Sequence, residues 1–297
     1  MNYKQSPPFR GVATALITPF ADGRPDYGAL SRIIEQQHEA GISALVVAGT
    51  TGEASTLTYR EHRELVGFVA QASPLPVIAG VGSNCTQRSV ELALSAADAE
   101  ADALMAVTPY YNKATPEGLI RHFTAIADAT PLPLILYNVP SRTGVNLSPQ
   151  LCEALSEHPR IVGIKEASGS IAACAEIIGR CGRRLAIYSG NDDMTVPVLS
   201  LGGVGVVSVV SNVLPRRMVG MYEAFRSGDF ARAAAEQTAL LPFIKAMFSH
   251  VNPVPVKCVM AQLGLCREEY RLPLCPLNDT DRAVLLSAVK DFCEAEH

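Results

Sequence analysis

The chain has 297 residues, 48% of them hydrophobic and 18% charged, with a net charge of -4. A length near 300 fits one large α/β barrel or two ordinary domains, and such a chain removes roughly 75% of its extended surface from water on folding. Basic residues form no run or stripe, which disfavours nucleic acid as a partner, and no segment holds 18 apolar residues free of a charge or helix breaker, so no membrane span is expected.

At the N-terminus, MNYKQSPPFRG lacks the apolar core of a signal peptide, and the expected location is the cytoplasm. Short β-rich apolar runs then alternate with longer helical stretches: VATALIT (12–18), ALVVAG (44–49), PVIAGVG (76–82), ALMAVTP (103–109), PLILYNV (133–139), IVGIK (161–165), LAIYSG (185–190) and VGVVSV (204–209). They are continuously hydrophobic, as parallel strands covered on both faces are. Helix starts lie between them. Thr58 with Glu61 makes a capping box, and Thr115–Pro116 and Ser148–Pro149 each set an N-cap residue before proline. Eight strand–helix alternations predict a (β/α)₈ barrel over residues 1–228. A doubly wound sheet usually carries a Gly-rich phosphate fingerprint after its first strand, and Thr18–Pro19–Phe20 is not one. Beyond residue 212 only helices are predicted, at 214–227, 230–247, 254–264 and 279–295. Residues 229–297 thus form a helical extension, and no internal repeat, low-complexity segment or linker is present.

Barrel enzymes carry their chemistry at the C-terminal ends of the strands. That filter selects Thr50, Thr51 and Glu53 after the second strand and Tyr110 and Tyr111 after the fourth. It also selects Tyr137, Asn138 and Arg142 at the fifth, Lys165 at the sixth, and Gly190 and Asn191 after the seventh. In IVGIKEASGS (161–170), alternation puts Ile161, Gly163 and Lys165 on one face and Val162 and Ile164 on the other. Lys165 is expected to point into the barrel, with Gly163 leaving room beneath its stem. A free lysine amine has a pKa near about 10.4, so only roughly 0.04% is neutral at pH 7. Loss of water disfavours an ammonium, and a shift of about three units corresponds to roughly 4 kcal/mol. The neutral amine is a nucleophile able to form a Schiff base with a carbonyl substrate. The alternative is a lysine paired with an acid such as Glu166, which alternation puts on the opposite face.

GTTGE (49–53) is a small-residue loop between strand and helix, where backbone N–H groups converge on an anion. A 2-oxo acid offers a carbonyl for Lys165 and a carboxylate for this loop; an ordinary tight turn is the alternative. The loop lacks the lysine and length of a nucleotide phosphate loop. AGVGSN (79–84) lacks the third glycine of a dinucleotide fingerprint, and GGVG (202–205) precedes the eighth strand, at the end away from the chemistry. Tyr137 closes the fifth strand, where a phenol hydrogen-bonded to other hydroxyls shuttles protons. Thr51 and Tyr110 or Tyr111 are available partners, with core or interface packing the alternative for each tyrosine. Arg142 suits a second carboxylate, or is an exposed loop arginine. Asp192 and Asp193 are expected to cap the helix after the seventh strand rather than bind metal. The histidines, at 38, 62, 122, 158, 250 and 297, form no H-x-x-x-H or carboxylate cluster, which disfavours a metal hydrolase. The eight cysteines include no C-x-x-C and read as reduced thiols, with a structural zinc site the alternative.

Taken together, GTTGE, TPYYN, YNVPSRTG, GIKEASG and NPVPVK resemble the pyruvate-dependent class I aldolase family of dihydrodipicolinate synthase and N-acetylneuraminate lyase. The resemblance runs from FRGVATALITPF to the helical C-terminus. It implies condensation of pyruvate with L-aspartate 4-semialdehyde, at the start of lysine and diaminopimelate synthesis, by a homotetramer built as a dimer of dimers, with no metal or organic cofactor required. It also implies roles. Lys165 matches the Schiff-base lysine, Thr50 and Thr51 the pair that receives the pyruvate carboxylate, and Tyr137 the proton-transfer tyrosine. Thr51 and Tyr111, the latter from a neighbouring subunit, complete its relay. Arg142 matches the residue that holds the semialdehyde carboxylate, and Gly190 and Val207 match positions whose carbonyls face the pyruvate. In sialic-acid and sugar-acid lyases of the family that arginine is usually lacking, so Arg142 favours the synthase over a lyase acting on N-acetylneuraminate or a 2-keto-3-deoxy sugar acid. A non-catalytic oxo-acid-binding barrel has no need of Lys165 beside Tyr137. Ser55, Tyr59, His62, Asn84, Arg88 and Tyr110 match a cleft in which many members bind lysine as a feedback inhibitor. Lysine-sensitive members commonly place an acid where Arg88 stands, and a cation there repels ammonium groups, so weak or absent lysine inhibition is expected.

Overall fold

Continuous apolar runs must be covered on both faces. The computed structural model, which describes residues 6–296, covers them by closing eight parallel strands into a barrel. Residues 1–5 of the N-terminal stretch and His297 lie outside the described residues. The strands are β1 (Gly11–Ala15), β2 (Ala44–Val47), β3 (Val77–Gly80), β4 (Ala103–Val107), β5 (Leu134–Asn138), β6 (Ile161–Glu166), β7 (Ala186–Ser189) and β8 (Gly205–Ser208). Each falls on a predicted run. The largest difference is at VATALIT, where β1 stops at Ala15. The Leu16 amide still donates to Val46 O at 3.0 Å, but the Ile17 amide turns to the Asn212 side chain at 3.2 Å, and the chain leaves the sheet.

Parallel partners point to the same side, so the register fixes what fills the barrel. Val107 pairs with Tyr137, Tyr137 with Lys165, and Lys165 with Tyr188. One layer below, Met105 pairs with Ile135 and Ile135 with Gly163. Elsewhere the inward residues are shorter: Ala13 pairs with Ala44 and with Val207, and Ile78 with Ala103. Small residues on one side of the ring leave space for a lysine and two tyrosines on the other.

Helices α1 (Tyr27–Glu39), α2 (Tyr59–Ala72), α3 (Thr86–Asp98), α4 (Pro116–Ala129), α5 (Pro149–Leu155), α6 (Ile171–Cys181), α7 (Thr195–Ser200) and α8 (Pro215–Arg226) follow the strands in turn. The expected caps are present. Thr58 Oγ1 accepts the Glu61 amide while Glu61 accepts the Thr58 amide, and Thr115 and Ser148 cap α4 and α5 ahead of proline. After β8 come α9 (Phe230–Met247), α10 (Val254–Gln262) and α11 (Asp279–Glu296), within two residues of the expected bounds. Among the described residues no helix is long and apolar enough to cross a membrane, and no three His, Cys, Asp or Glu side chains group as a metal site. All eight cysteines are free thiols.

Two histidines are buried in the helical layer. His122 lies against Thr86 Oγ1 at 2.9 Å, and burial pushes its imidazole down to about 4. His62 bonds Gly80 O at 2.8 Å; burial lowers it too, opposed by that carbonyl and assisted by Arg88. Below about pH 6.5 an unfolded histidine takes a proton that the folded one refuses. Stability contributed by a neutral His122 is therefore complete above pH 6.5 and lost as pH falls toward 4, by about 3 kcal/mol. Urea unfolding at a series of pH values is expected to show this decline, and His122→Gln to flatten it; an unchanged slope in the variant contradicts the assignment.

Candidate active site

Lys165 ends the inner row of β6 and is 5% exposed. Its Nζ lies over the Tyr137 ring, 4.3 Å from the centroid, and among the described residues no carboxylate comes within ion-pair distance of it. Glu166 faces the other way, as alternation requires. Its Oε2 accepts Asn138 Nδ2 at 2.8 Å and its Oε1 the Ser168 amide at 2.6 Å, so the sequence neighbour is not the lysine's partner. The space around the stem differs from expectation. A Cβ on Gly163 would come within 3.1 Å of the Tyr188 ring, so that glycine admits Tyr188. Tyr188 stacks on Phe9 with centroids 4.3 Å apart and donates to Phe9 O at 3.0 Å. Gly190 is the glycine that admits the lysine, since a Cβ there would lie 3.1 Å from Lys165 Cγ and 2.6 Å from Ala167 Cβ.

The GTTGE loop is wound tightly. The Gly52 and Ala54 amides donate to Gly49 O at 3.1 and 3.2 Å, and the Glu53 amide to Thr50 O at 3.1 Å. The Thr50 and Thr51 amides donate to no described backbone carbonyl in that turn, which leaves adjacent N–H donors for an anion. Glu53 sits in the left-handed region at φ 55° and sends its carboxylate inward to Lys257 Nζ at 2.7 Å, both side chains fully buried. Lys257 also donates to Thr18 O at 3.1 Å, the Arg271 amide to the second Glu53 oxygen at 3.1 Å, and Thr18 Oγ1 to Gly52 O at 2.7 Å. Asn252 Nδ2 donates to Thr51 Oγ1 at 2.9 Å. The loop is thus held from behind by the segment leading into α10. Burial pushes the Lys257 amine down, against the upward pull of Glu53.

A cavity of about 260 Å³ is lined by Thr50, Met105, Val107, Tyr137 and Arg142 together with Ser55, Tyr59, His62, Arg88 and Tyr110. Lys165, Thr51, Gly190 and Val207 are not on its wall; Lys165 is reached through Tyr137, and Val207 lies on the inner row of β8. Arg142 stands on a single helical turn, Pro140–Thr143, exposed and without an ion pair to a described carboxylate. Thr143 anchors that turn, accepting Thr108 Oγ1 at 3.0 Å and donating to Val145 O at 2.9 Å. Asn84 is off the cavity, its carbonyl accepting Asn112 Nδ2 at 2.9 Å. Tyr111 is 88% exposed with φ 73°, and within this chain no hydrogen bond joins Thr51, Tyr137 and Tyr111.

Neither aspartate after β7 caps a helix, contrary to expectation. Asp192 instead bridges β7 to the end of β8: its Oδ2 accepts the Val209 and Val210 amides at 3.0 and 3.3 Å, and its Oδ1 has no hydrogen-bond partner. Burial pushes its carboxyl up, opposed by hydrogen bonds and by the Lys165 charge. Asn252, Lys257, Tyr188 and the inward turn of Asp192 were missed in the sequence. NPVPVK did carry a signal, since Lys257 interrupts an apolar run much as Lys165 does.

Residues 8–292 match the dihydrodipicolinate synthetase family. The chain belongs to that family. It is 47% identical over 286 residues to a 4-hydroxy-tetrahydrodipicolinate synthase of Pelobacter propionicus, covering 96% of this chain and 99% of that one. A synthase of the same name from Methanothrix thermoacetophila is 47% identical, covering 93% and 95% of the two chains. Among solved structures, dihydrodipicolinate synthase from Thermotoga maritima superposes with a TM-score of 0.93 at 38% identity, covering 95% and 98%. The enzyme from Cyanidioschyzon merolae with lysine bound superposes with 0.91 at 39% identity, again over 95% and 98%.

The buried pair yields a stability prediction. Glu53→Gln or Lys257→Met alone strands a charge or a donor set in the interior, and each is expected to cost about 3–5 kcal/mol. The double variant is expected to regain part of that loss, because no unpaired charge remains. Urea denaturation measures all three; single variants as stable as the parent contradict the coupling.

Proposed function

We propose that Lys165 is the Schiff-base nucleophile with which this chain, a lyase of the family, carries out the 4-hydroxy-tetrahydrodipicolinate synthase reaction. One observation carries the reading: the buried Nζ lies over the Tyr137 ring with no carboxylate to lock it, and Tyr137 shares a cavity with the loop whose adjacent backbone donors are unused. The amine adds to C2 of pyruvate, the carbinolamine takes up a proton and loses water to form the protonated imine, and loss of a methyl proton gives the neutral enamine that bonds to the aldehyde carbon of L-aspartate 4-semialdehyde. The Thr50–Thr51 amides take the pyruvate carboxylate, beside the carbonyls of Gly190 and Val207. Tyr137 moves the protons. Arg142, exposed on the cavity wall without an ion pair, takes the second carboxylate. The barrel, residues 1–228, carries this chemistry and residues 229–297 brace it. Tyr111, 88% exposed on a strained turn, reaches the relay of a neighbouring copy in a homotetramer. A cytoplasmic location fits the soluble substrates.

Reduction with borohydride in the presence of pyruvate is expected to fix a mass gain on Lys165 and none on Lys257. An unlabelled Lys165 removes the mechanism. Arg142→Ala is expected to raise KM for the semialdehyde about tenfold or more, the loss of a charged hydrogen bond worth about 1.5–3 kcal/mol, with KM for pyruvate little changed. Turnover of sugar acids faster than of the semialdehyde overturns the choice of second substrate.

The lysine cleft carries a cation in this chain. Arg88 is exposed on the cavity and acts electrostatically on His62. It repels an incoming ammonium, so the enzyme is expected to keep most of its activity in 1 mM lysine, a concentration of about the order at which a site of roughly 4 kcal/mol is half filled. Arg88→Glu is expected to increase sensitivity. Strong inhibition of the parent by submillimolar lysine refutes this.

A further inference from the structure

The segment leading into α10 brings to the threonine loop a side chain that the proposed chemistry leaves unused. Asn252 is 6% exposed, its Nδ2 donates to Thr51 Oγ1 at 2.9 Å, and its Oδ1 is buried without a partner among the described residues. Turning the amide over would bury an NH2 with two unused protons in place of one carbonyl oxygen, and orphaned N–H groups are the rarer defect. A hydroxyl has one proton and two acceptor sites. With an N–H aimed at Thr51 Oγ1, the threonine proton is free to be donated, and no described protein atom accepts it.

We infer that Asn252 is a positioning residue that fixes the Thr51 hydroxyl as a donor into the reaction space. This rests on the Schiff-base reading. Thr51 and Tyr137 share no hydrogen bond in this chain by itself; with the carbinolamine in place the Thr51 proton passes to the Tyr137 phenol oxygen, the phenol's own proton goes to the carbinolamine oxygen, and that oxygen leaves as water. Thr51 regains a proton from solvent through Tyr111 of a second copy, so one proton enters for each water expelled. Without Asn252 the hydroxyl rotates and accepts as readily as it donates.

The test is a double-mutant cycle on the full-length enzyme, with Asn252→Ala and Thr51→Val. It is read as kcat for condensation at saturating pyruvate, with borohydride trapping of pyruvate in every variant. General acid–base steps are worth about 100- to 10,000-fold, so a misdirected donor is expected to lower kcat about tenfold with KM for pyruvate within about twofold. On the Thr51→Val background the same substitution is expected to change kcat less than about twofold, because the group it acts through is gone. Asn252→Asp keeps the side chain's shape and serves if the alanine variant does not fold. It replaces a donor by an acceptor, so it is expected to lose more activity than Asn252→Ala at pH 8 and to recover as pH falls and the carboxyl regains a proton. Equal losses from Asn252→Ala on both backgrounds, or an Asn252→Asp enzyme as active as the parent at pH 8, overturn the assignment while parent trapping leaves the Schiff base standing. A parent enzyme that traps no pyruvate overturns both.

Discussion

The parallel register of β5, β6 and β7 is the constraint on which the site depends. It puts Tyr137, Lys165 and Tyr188 side by side on the inner row. A one-residue slip in β6 would send Lys165 to the helix-facing side and bring Glu166 inside, because side chains alternate with a period of two. The slip is prevented from both sides. Glu166 is fixed outward by Asn138 and Ser168, and the inner row accepts Lys165 only where Gly190 lets its stem pass. The Lys165 amine is placed by backbone pairing and packing together, which is more exact than a loop can offer.

A barrel alone does not finish the mouth. The threonine loop has a left-handed glutamate, and its backbone amides are only partly used by its own turn. What stiffens it comes from some two hundred residues away in sequence, as Asn252 on Thr51, Lys257 on Glu53 and Thr18, and Arg271 on Glu53. Arg271 continues the network to Thr56 O and Glu61, whose carboxyl this guanidinium pulls down to about 2. The extension beyond the barrel is therefore structural support for the threonine loop. It limits how far that loop can yield.

The fold was legible in the sequence because each signal was local. VATALIT, PLILYNV and their kin are short, apolar and bounded by caps such as Thr58–Glu61, and eight of them leave few architectures. Lys165, Tyr137 and the threonine loop were legible for the same reason, each sitting at the end of a run where parity decides its direction. What escaped was set by packing. Gly163 serves Tyr188 rather than the lysine, because the stem passes beside Gly190 at the end of the neighbouring strand. Asp192 reads as a helix cap from its position after β7, yet the amides of Val209 and Val210 outbid the helix for it. No pattern in the sequence announces the contact between Asn252 and Thr51.

Two lysines are buried among the described residues, and they differ in what surrounds them. Lys257 has every feature of a structural cation: a carboxylate at 2.7 Å, a carbonyl at 3.1 Å, and no exposure. An amine so held has two of its three donors engaged by a carboxylate and a carbonyl, and its lone pair occupied by the proton that the pair requires, so it has little to offer an electrophile. Lys165 is nearly as buried and, like Lys257 over Phe20, lies over an aromatic face, that of Tyr137, but it has no carboxylate beside it; the ring's quadrupole is worth about 0.5–2 kcal/mol to a cation and asks for no fixed hydrogen-bond geometry. Such a contact costs little to give up, which is what the proposed Schiff-base role of Lys165 requires. Burial alone therefore does not mark a reactive lysine; burial without a locking carboxylate, next to a group that can pass protons, does.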